Sequence, residues 1–367
     1  MEKTQKRLIF FMPSMEGGGV EKNLILIANY ISKFENNIQL ITFDNTFNKF
    51  FNKKITILNA VKKKSKNYSK YYKYFYCLCI LIKQYFKSKN FVLFTFQANI
   101  YALTLSYLLK FRVISRSNSS PSGWGNNFFK NIIFNFFFKK ADCIIVNSKE
   151  FQKEFKKKFK VNTRLIYNPL NKKEIIKNSK RKINKKIYET NSLKIINIAR
   201  LTDQKDHLTL LKAIKIVTNK IKCNLIIIGY GVNKKNIINE IDKLKLKKFV
   251  KIVHCKTNPF PYLKASELFI LSSKFEGLPN VILEAQTLKK YVISTNCPTG
   301  PKEILMNDKL GSLFKVGDYK KLASIILDFN KNKKKYQKSI KLAYENLDRF
   351  DYELNCKKYL ILIKTYL

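Results

Sequence analysis

Short runs of aliphatic, β-branched and aromatic residues recur along the chain. They alternate with stretches whose apolar positions return every three to four residues. In the first half the runs are "LIFFM" from Leu8, "IQLITF" from Ile38, "FVLFTF" from Phe91, "RVISRS" from Arg112, "CIIVNS" from Cys143 and "RLIY" from Arg164. In the second half they are "KIINIAR" from Lys194, "NLIIIG" from Asn224, "VKIV" from Val250, "LFILSS" from Leu268, "YVIST" from Tyr291 and "LFKV" from Leu313. Helical spacing lies between many of them; Val20, Leu24, Ile27, Ala28 and Ile31, for example, fall on one helical face. Near-continuous apolar strands separated by helices predict parallel sheets covered on both faces. The rhythm breaks in a basic segment that begins at Asn168 and has few large apolar residues after Ile176. The pattern therefore predicts two Rossmann-like, doubly wound α/β domains facing each other across a crevice. Their expected bounds are residues 1–170 and 171–350, with a C-terminal helix over 351–367 packing back on the first domain.

Ligands of such sheets lie outside the carboxyl ends of the strands, so the loops after the strands are the places to look for chemistry. After "LFILSS" comes "KFEGLPNVILEAQTLKK", Lys274 to Lys290, in which Gly277 and Pro279 mark a loop and Pro279 suits a helix's first turn. A helix that starts just past a strand end offers backbone amides and a positive dipole end to a phosphate or diphosphate. Glu276 lies in the loop ahead of those amides, and Glu284 lies eight positions on, inside the helix. After the second domain's first strand, "NIARLTDQKDHLTLLKA" places Arg200 at the strand end and Lys205 at the start of the next helix. A guanidinium fork beside an ammonium suits a diphosphate. "IIIGYG" supplies Gly229 and Gly231, where backbone must come close to something. Each feature alone has an ordinary structural explanation: surface glutamates, a salt-bridging arginine, a glycine turn. Their arrangement after successive strand ends makes them a candidate site.

These segments, with "FEGLPNVILEA" above all, resemble the second domain of retaining glycosyltransferases of the family 4 type, which have the GT-B fold. The family's E-x7-E pattern is matched by Glu276 and Glu284, and "VNSKEFQKEF" and "LIYNPL" resemble the end of its first domain and the crossing between domains. The resemblance implies a hexosyltransferase-type enzyme of bacterial surface-polysaccharide synthesis. It would use a nucleotide-sugar donor, UDP-linked, and a glycan or polyprenyl-linked acceptor. In that reading Arg200 and Lys205 neutralise the departing diphosphate, Glu276 binds hydroxyls of the donor sugar, and Glu284 binds the ribose. The amides of Gly277, Leu278, Pro279, Asn280 and Val281 mark the stretch that holds sugar and diphosphate, although proline itself has no N–H. Gly229 borders the donor, and the base lies near His254 and Cys255; His254 is equally well read as a structural histidine. No covalent nucleophile, metal or other cofactor is required.

In the first domain "GGG", Gly17 to Gly19, sits between the first strand and the first helix of a chain with only 11 glycines. It lacks the G-x-G-x-x-G spacing of a dinucleotide loop. Gly18 and Gly19 are expected to approach the donor phosphate and Gly17 to leave room for the acceptor. Glu21 is a helix-start residue first and an acceptor contact second. The family's first-domain histidine has no counterpart here. Gln97, Asn99, Arg116 and Asn118, just after strand ends, are the candidates for acceptor contacts, and Trp124 is either a stacking platform or loop packing.

Composition narrows the partners. The formal charge is +47, yet only seven of the 72 basic residues are arginines. A codon bias towards lysine and attraction to an anionic membrane both explain this. The arginine scarcity and the lack of any binding motif argue against nucleic acid. Lysines border the aromatic-rich segments from Asn67 and from Phe128, a pattern that suits a membrane interface or a plain core. The seven cysteines form no C-x-x-C pair and the only histidines are His207 and His254, so free thiols in the cytoplasm and no metal site are expected. No apolar run is long enough to span a bilayer. A nucleotide-sugar epimerase on the same fold is the second enzyme class; the shortage of acid/base groups in the first domain counts against it.

Overall fold

The computed structural model describes residues 6–61, 68–118, 121, 128–183, 188, 191–254 and 258–367. The chain divides into two compact units, one of residues 1–169 with 353–367 and one of residues 170–352.

The first unit contains β1 (Arg7–Phe11), α1 (Gly19–Ile31), β2 (Ile38–Thr42), β3 (Ile55–Asn59), α2 (Lys70–Lys87), β4 (Phe91–Thr95), α3 (Asn99–Leu109), β5 (Arg112–Arg116), α4 (Phe128–Lys139), β6 (Cys143–Val146), α5 (Lys149–Phe159) and β7 (Arg164–Leu165). Its strands form one parallel sheet in the order β3-β2-β1-β4-β5-β6-β7. The apolar runs become strands because they are buried on both faces; Leu8 to Phe11 and Val92 to Phe94 are within 1% of complete burial. Cys77 and Leu81 of α2, Ala102 and Leu103 of α3, Phe138 of α4 and Phe151, Phe155 and Phe159 of α5 share one core with the sheet. In α5 the three phenylalanines recur every fourth residue while lysines fill the opposite side, so a single apolar stripe fixes the helix on the sheet. Ser148 starts it by accepting the amide of Phe151.

The second unit contains α6 (Lys172–Asn178), β8 (Leu193–Ile198), α7 (His207–Thr218), β9 (Cys223–Ile228), α8 (Lys234–Lys243), β10 (Val250–Val253), α9 (Phe260–Ala265), β11 (Leu268–Leu271), α10 (Asn280–Thr287), β12 (Tyr291–Thr295), α11 (Pro301–Ile304), β13 (Ser312–Phe314), α12 (Tyr319–Lys331) and α13 (Lys333–Glu345). Its parallel sheet runs β10-β9-β8-β11-β12-β13. In both sheets the strand order reverses beside the unit's first strand, between β1 and β4 and between β8 and β11. At such a switch point the two loops leave in opposite directions and open a crevice at the carboxyl end of the sheet.

The last helix, α14 (Tyr352–Lys364), belongs to the first unit from Glu353 on. Its Tyr359 is fully buried, and its hydroxyl accepts the Nε–H of Arg116 at 3.0 Å.

Candidate functional site

The switch point of the second sheet brings together the loop after β8 and the loop after β11. Three hydrogen bonds lace them. Gln204 Nε2 donates to the Phe275 carbonyl at 2.8 Å, the Lys274 amide donates to the Gln204 carbonyl at 2.8 Å, and Ser272 Oγ donates to the Lys205 carbonyl at 2.9 Å. Across this seam Lys205 Nζ meets Glu276 Oε1 at 2.5 Å, with the two side chains only 13% and 8% exposed. Water screens such a pair poorly, so the ammonium and carboxylate fix each other's positions. Asp206 ends the β8 loop in a left-handed conformation and caps α7 by accepting the Thr209 amide. Arg200 stands exposed at the strand end.

A third loop, after β12, clamps the second. Thr299 Oγ1 donates to the Glu276 carbonyl and Thr295 Oγ1 to the Ser273 carbonyl, both at 2.6 Å. Gly300 has φ +79, and a Cβ there would lie 1.8 Å from the Gly277 carbonyl oxygen. The backbone of residues 276–279 is thus held by direct contact with a glycine. Pro279 sits immediately before α10 rather than inside its first turn, with extended ψ of 105, and as N-cap it supplies no side-chain hydrogen bond. The positive dipole end of α10 is accordingly offered beside the ion pair. Glu284 is buried in the second turn of α10.

Other expected donor contacts have more structural surroundings. Gly229 lies against the β8 loop, where a Cβ would meet the Ala199 carbonyl at 1.9 Å. The close approach read from "IIIGYG" is therefore to the chain's own backbone. His254 is exposed just after β10; Cys255 and Trp124 lie outside the described residues.

In the first unit the switch point holds Gly17 to Gly19 after β1 and Gln97 after β4. Gln97 Oε1 accepts the Ser14 amide at 2.8 Å, tying the two loops together. Gly17 has φ +81, which glycine adopts without strain, and Gly18 is the N-cap of α1. The Glu21 carboxylate folds back over this turn and accepts the Glu16 amide at 3.0 Å, so its place is that of a helix-start residue. Asn99 Nδ2 donates to the Arg116 carbonyl and Asn118 Nδ2 to the Phe96 carbonyl, at 2.9 and 2.6 Å. Arg116 differs from expectation. It is 0% exposed, donates to Tyr359 and to Asn168 Oδ1, and lies 5.3 Å from the Phe96 ring centre. Burial takes it out of reach of an acceptor and makes it a tie between β5 and the C-terminal helix.

Sequence reasoning did not single out Gln204, whose side chain does much of the lacing. A glutamine in a polar loop carries no spacing signal. It also passed over His207, which is 3% exposed at the start of α7. Burial, and then the Lys205 ammonium, push its imidazole down to about 4 against the pull of Asp206. The neutral form is the one accommodated in the fold. Its stabilising share is therefore complete above the unfolded value of 6.5 and is lost as pH falls from there towards 4, about 3 kcal/mol in all. Urea unfolding at pH 7 and pH 4 is expected to show that loss, and His207→Gln is expected to reduce the difference by most of it.

The chain can now be set beside known proteins. The family model described as glycosyl transferases group 1 matches residues 178–346. An uncharacterized glycosyltransferase of Methanocaldococcus jannaschii is 37% identical over 204 residues, covering 53% of this chain and 50% of the relative. The N-acetylgalactosamine-N,N'-diacetylbacillosaminyl-diphospho-undecaprenol 4-alpha-N-acetylgalactosaminyltransferase of Campylobacter jejuni is 26% identical over 245 residues, 64% of each chain. The chain thus spans half to just under two thirds of the length of these relatives. Among solved structures, Anabaena HepE in complex with UDP-glucose superposes with a TM-score of 0.79 at 16% identity, over 99% of this chain and 100% of that one. These relatives are named as transferases and lend no support to the epimerase alternative. The second unit, over residues 178–346, thus matches the glycosyl transferases group 1, and the paired parallel sheets and the likeness to the solved structure agree on the GT-B fold.

Proposed function

We propose that the chain transfers a sugar, with retention of anomeric configuration, from a UDP-linked donor to a glycan or polyprenyl-linked acceptor in surface-polysaccharide synthesis. The observation that carries this reading is the Lys205–Glu276 pair, buried at the switch point, four residues ahead of the start of α10 and close along the chain to Arg200. Cationic groups and helix amides contributed by two neighbouring strand ends suit a departing diphosphate. The acceptor hydroxyl attacks the anomeric carbon from the face that the diphosphate leaves. The bond from that carbon to the phosphate oxygen breaks with its electron pair on the phosphate, which also takes the hydroxyl proton. Arg200 and Lys205 stabilise the charge that builds on the diphosphate. Glu276, oriented by Lys205, binds donor-sugar hydroxyls, and Glu284 binds the ribose. Support for UDP and for a lipid-linked acceptor comes from relatives whose names carry them: HepE in complex with UDP-glucose and the diphospho-undecaprenol-linked transferase. Gly17 and Gln97 are assigned to the acceptor, and the enzyme works in the cytoplasm at an anionic membrane surface. No metal is assigned, because the two cations take the role a metal would fill.

A thermal-shift screen of nucleotides and nucleotide sugars tests the donor. UDP and one UDP-sugar are expected to raise the melting temperature, since a ligand at a hundred times its Kd adds about 2.7 kcal/mol to the folded state. A rise with guanosine or cytidine nucleotides alone would move the donor to another base. No rise with any nucleotide would remove the donor site from this unit.

A further inference from the structure

From Asn45 to Ala141 the chain contains no aspartate or glutamate, although it carries 25 of them in 367 residues. A lysine surplus of codon origin raises lysine everywhere; it does not empty one stretch of acids. That stretch supplies α2, α3 and α4, which share a core on one face of the first sheet. Their outward sides are aromatic and aliphatic: Tyr71 is 70% exposed, Phe75 62%, Phe86 75%, Leu108 67%, Phe128 72% and Phe129 75%. Aromatic contacts join the three helices. The Tyr74 and Tyr101 rings meet at 5.7 Å between α2 and α3, and the Tyr107 and Phe136 rings at 5.5 Å between α3 and α4. Lysines stand beside these rings, with Lys110 Nζ 4.8 Å from the centre of Tyr107 and Lys140 Nζ 5.7 Å from that of Phe136. A contiguous apolar face of this kind marks an interaction site.

We propose that this outer face of α2, α3 and α4 docks on anionic phospholipid headgroups, its aromatic side chains entering the interface and its lysines remaining at the phosphates. The inference deepens the membrane-surface part of the function proposed above by naming the face. Charge selects the occupant. A second copy of the chain would bring two acid-free, lysine-bearing surfaces together and be repelled. Nucleic acid would satisfy the lysines but would leave Leu108 and Ile132 without a counterpart, whereas acyl chains accept aliphatic and aromatic side chains alike. Among the described residues no helix is long and apolar enough to cross a membrane, so the face would lie on the bilayer.

Co-sedimentation with vesicles of phosphatidylcholine alone, and of equal parts phosphatidylcholine and phosphatidylglycerol, tests this. The full chain is expected to pellet with the anionic vesicles, less so as salt rises, and not with the neutral ones. Phe75→Ser/Phe86→Ser and Phe128→Ser/Phe129→Ser change only exposed positions and are each expected to weaken the anionic partition by about tenfold. Equal pelleting with both vesicle types, none with either, or undiminished pelleting of both variants overturns the proposal. A DNA duplex that binds the wild type and not the variants would overturn it too. UDP-induced stabilisation is measured on the same preparations. Its loss alone strikes the donor reading, and loss of vesicle binding alone strikes the docking face.

Discussion

Glu276→Ala and Arg200→Ala are each expected to lower sugar transfer by about a thousandfold while leaving the chain folded. The size follows from removing a charged group from a preorganised site, where single donors are worth factors of about a hundred to a thousand. The two variants should differ in stability. Arg200 is exposed at the end of β8, and its loss should leave the unfolding midpoint unchanged. Glu276 holds Lys205 at 2.5 Å, and removing it strands an ammonium whose side chain is only 13% exposed. Breaking such a pair costs about 3 kcal/mol when fully buried, and the remaining exposure reduces this to about 2 kcal/mol. Lys205→Met with Glu276→Ala should recover most of that loss and none of the transfer. A double variant that regains transfer, or full transfer in either single variant, would remove these residues from the reaction.

Gly300→Ala is expected to destabilise the second unit by about 3 kcal/mol and to abolish nucleotide-induced stabilisation. The added methyl would stand 1.8 Å from the Gly277 carbonyl oxygen and 2.8 Å from Pro279 Cδ. No side-chain rotation relieves a collision between a Cβ and a backbone carbonyl, so residues 276–279 must move. Gly317 provides the control: it also has positive φ, +82, but open space where its Cβ would be. Gly317→Ala should cost only the backbone strain, about 1 kcal/mol. Equal urea midpoints for the two variants would show that the β12 loop does not clamp the donor loop.

The parallel sheets were legible in the sequence because strands buried on both faces leave continuous apolar runs. Lys205 and Glu276 could be suspected together because each follows a strand end, and the structure pairs them. What joins their loops was not legible: the three-bond seam at Gln204, Lys274 and Ser272 depends on two loops 70 residues apart meeting, and nothing in their spacing announces it. Gly229 was readable as a close approach but not as one to Ala199. Arg116 was misread because a strand-end arginine looks the same whether it faces a ligand or a buried tyrosine, and that tyrosine is 243 positions away.

That separation bears on the order of folding. During synthesis Arg116 leaves the ribosome well before Tyr359, by an interval on the order of tens of seconds at ordinary elongation rates. Until then the guanidinium at the end of β5 lacks its hydroxyl partner, and the space filled by α14 is open to water or to another chain. The second unit is contiguous in sequence and can close as soon as its own residues are made. The unit begun earlier is therefore the later of the two to be finished, and a chain stalled late in translation would carry a complete second unit and an unsealed first.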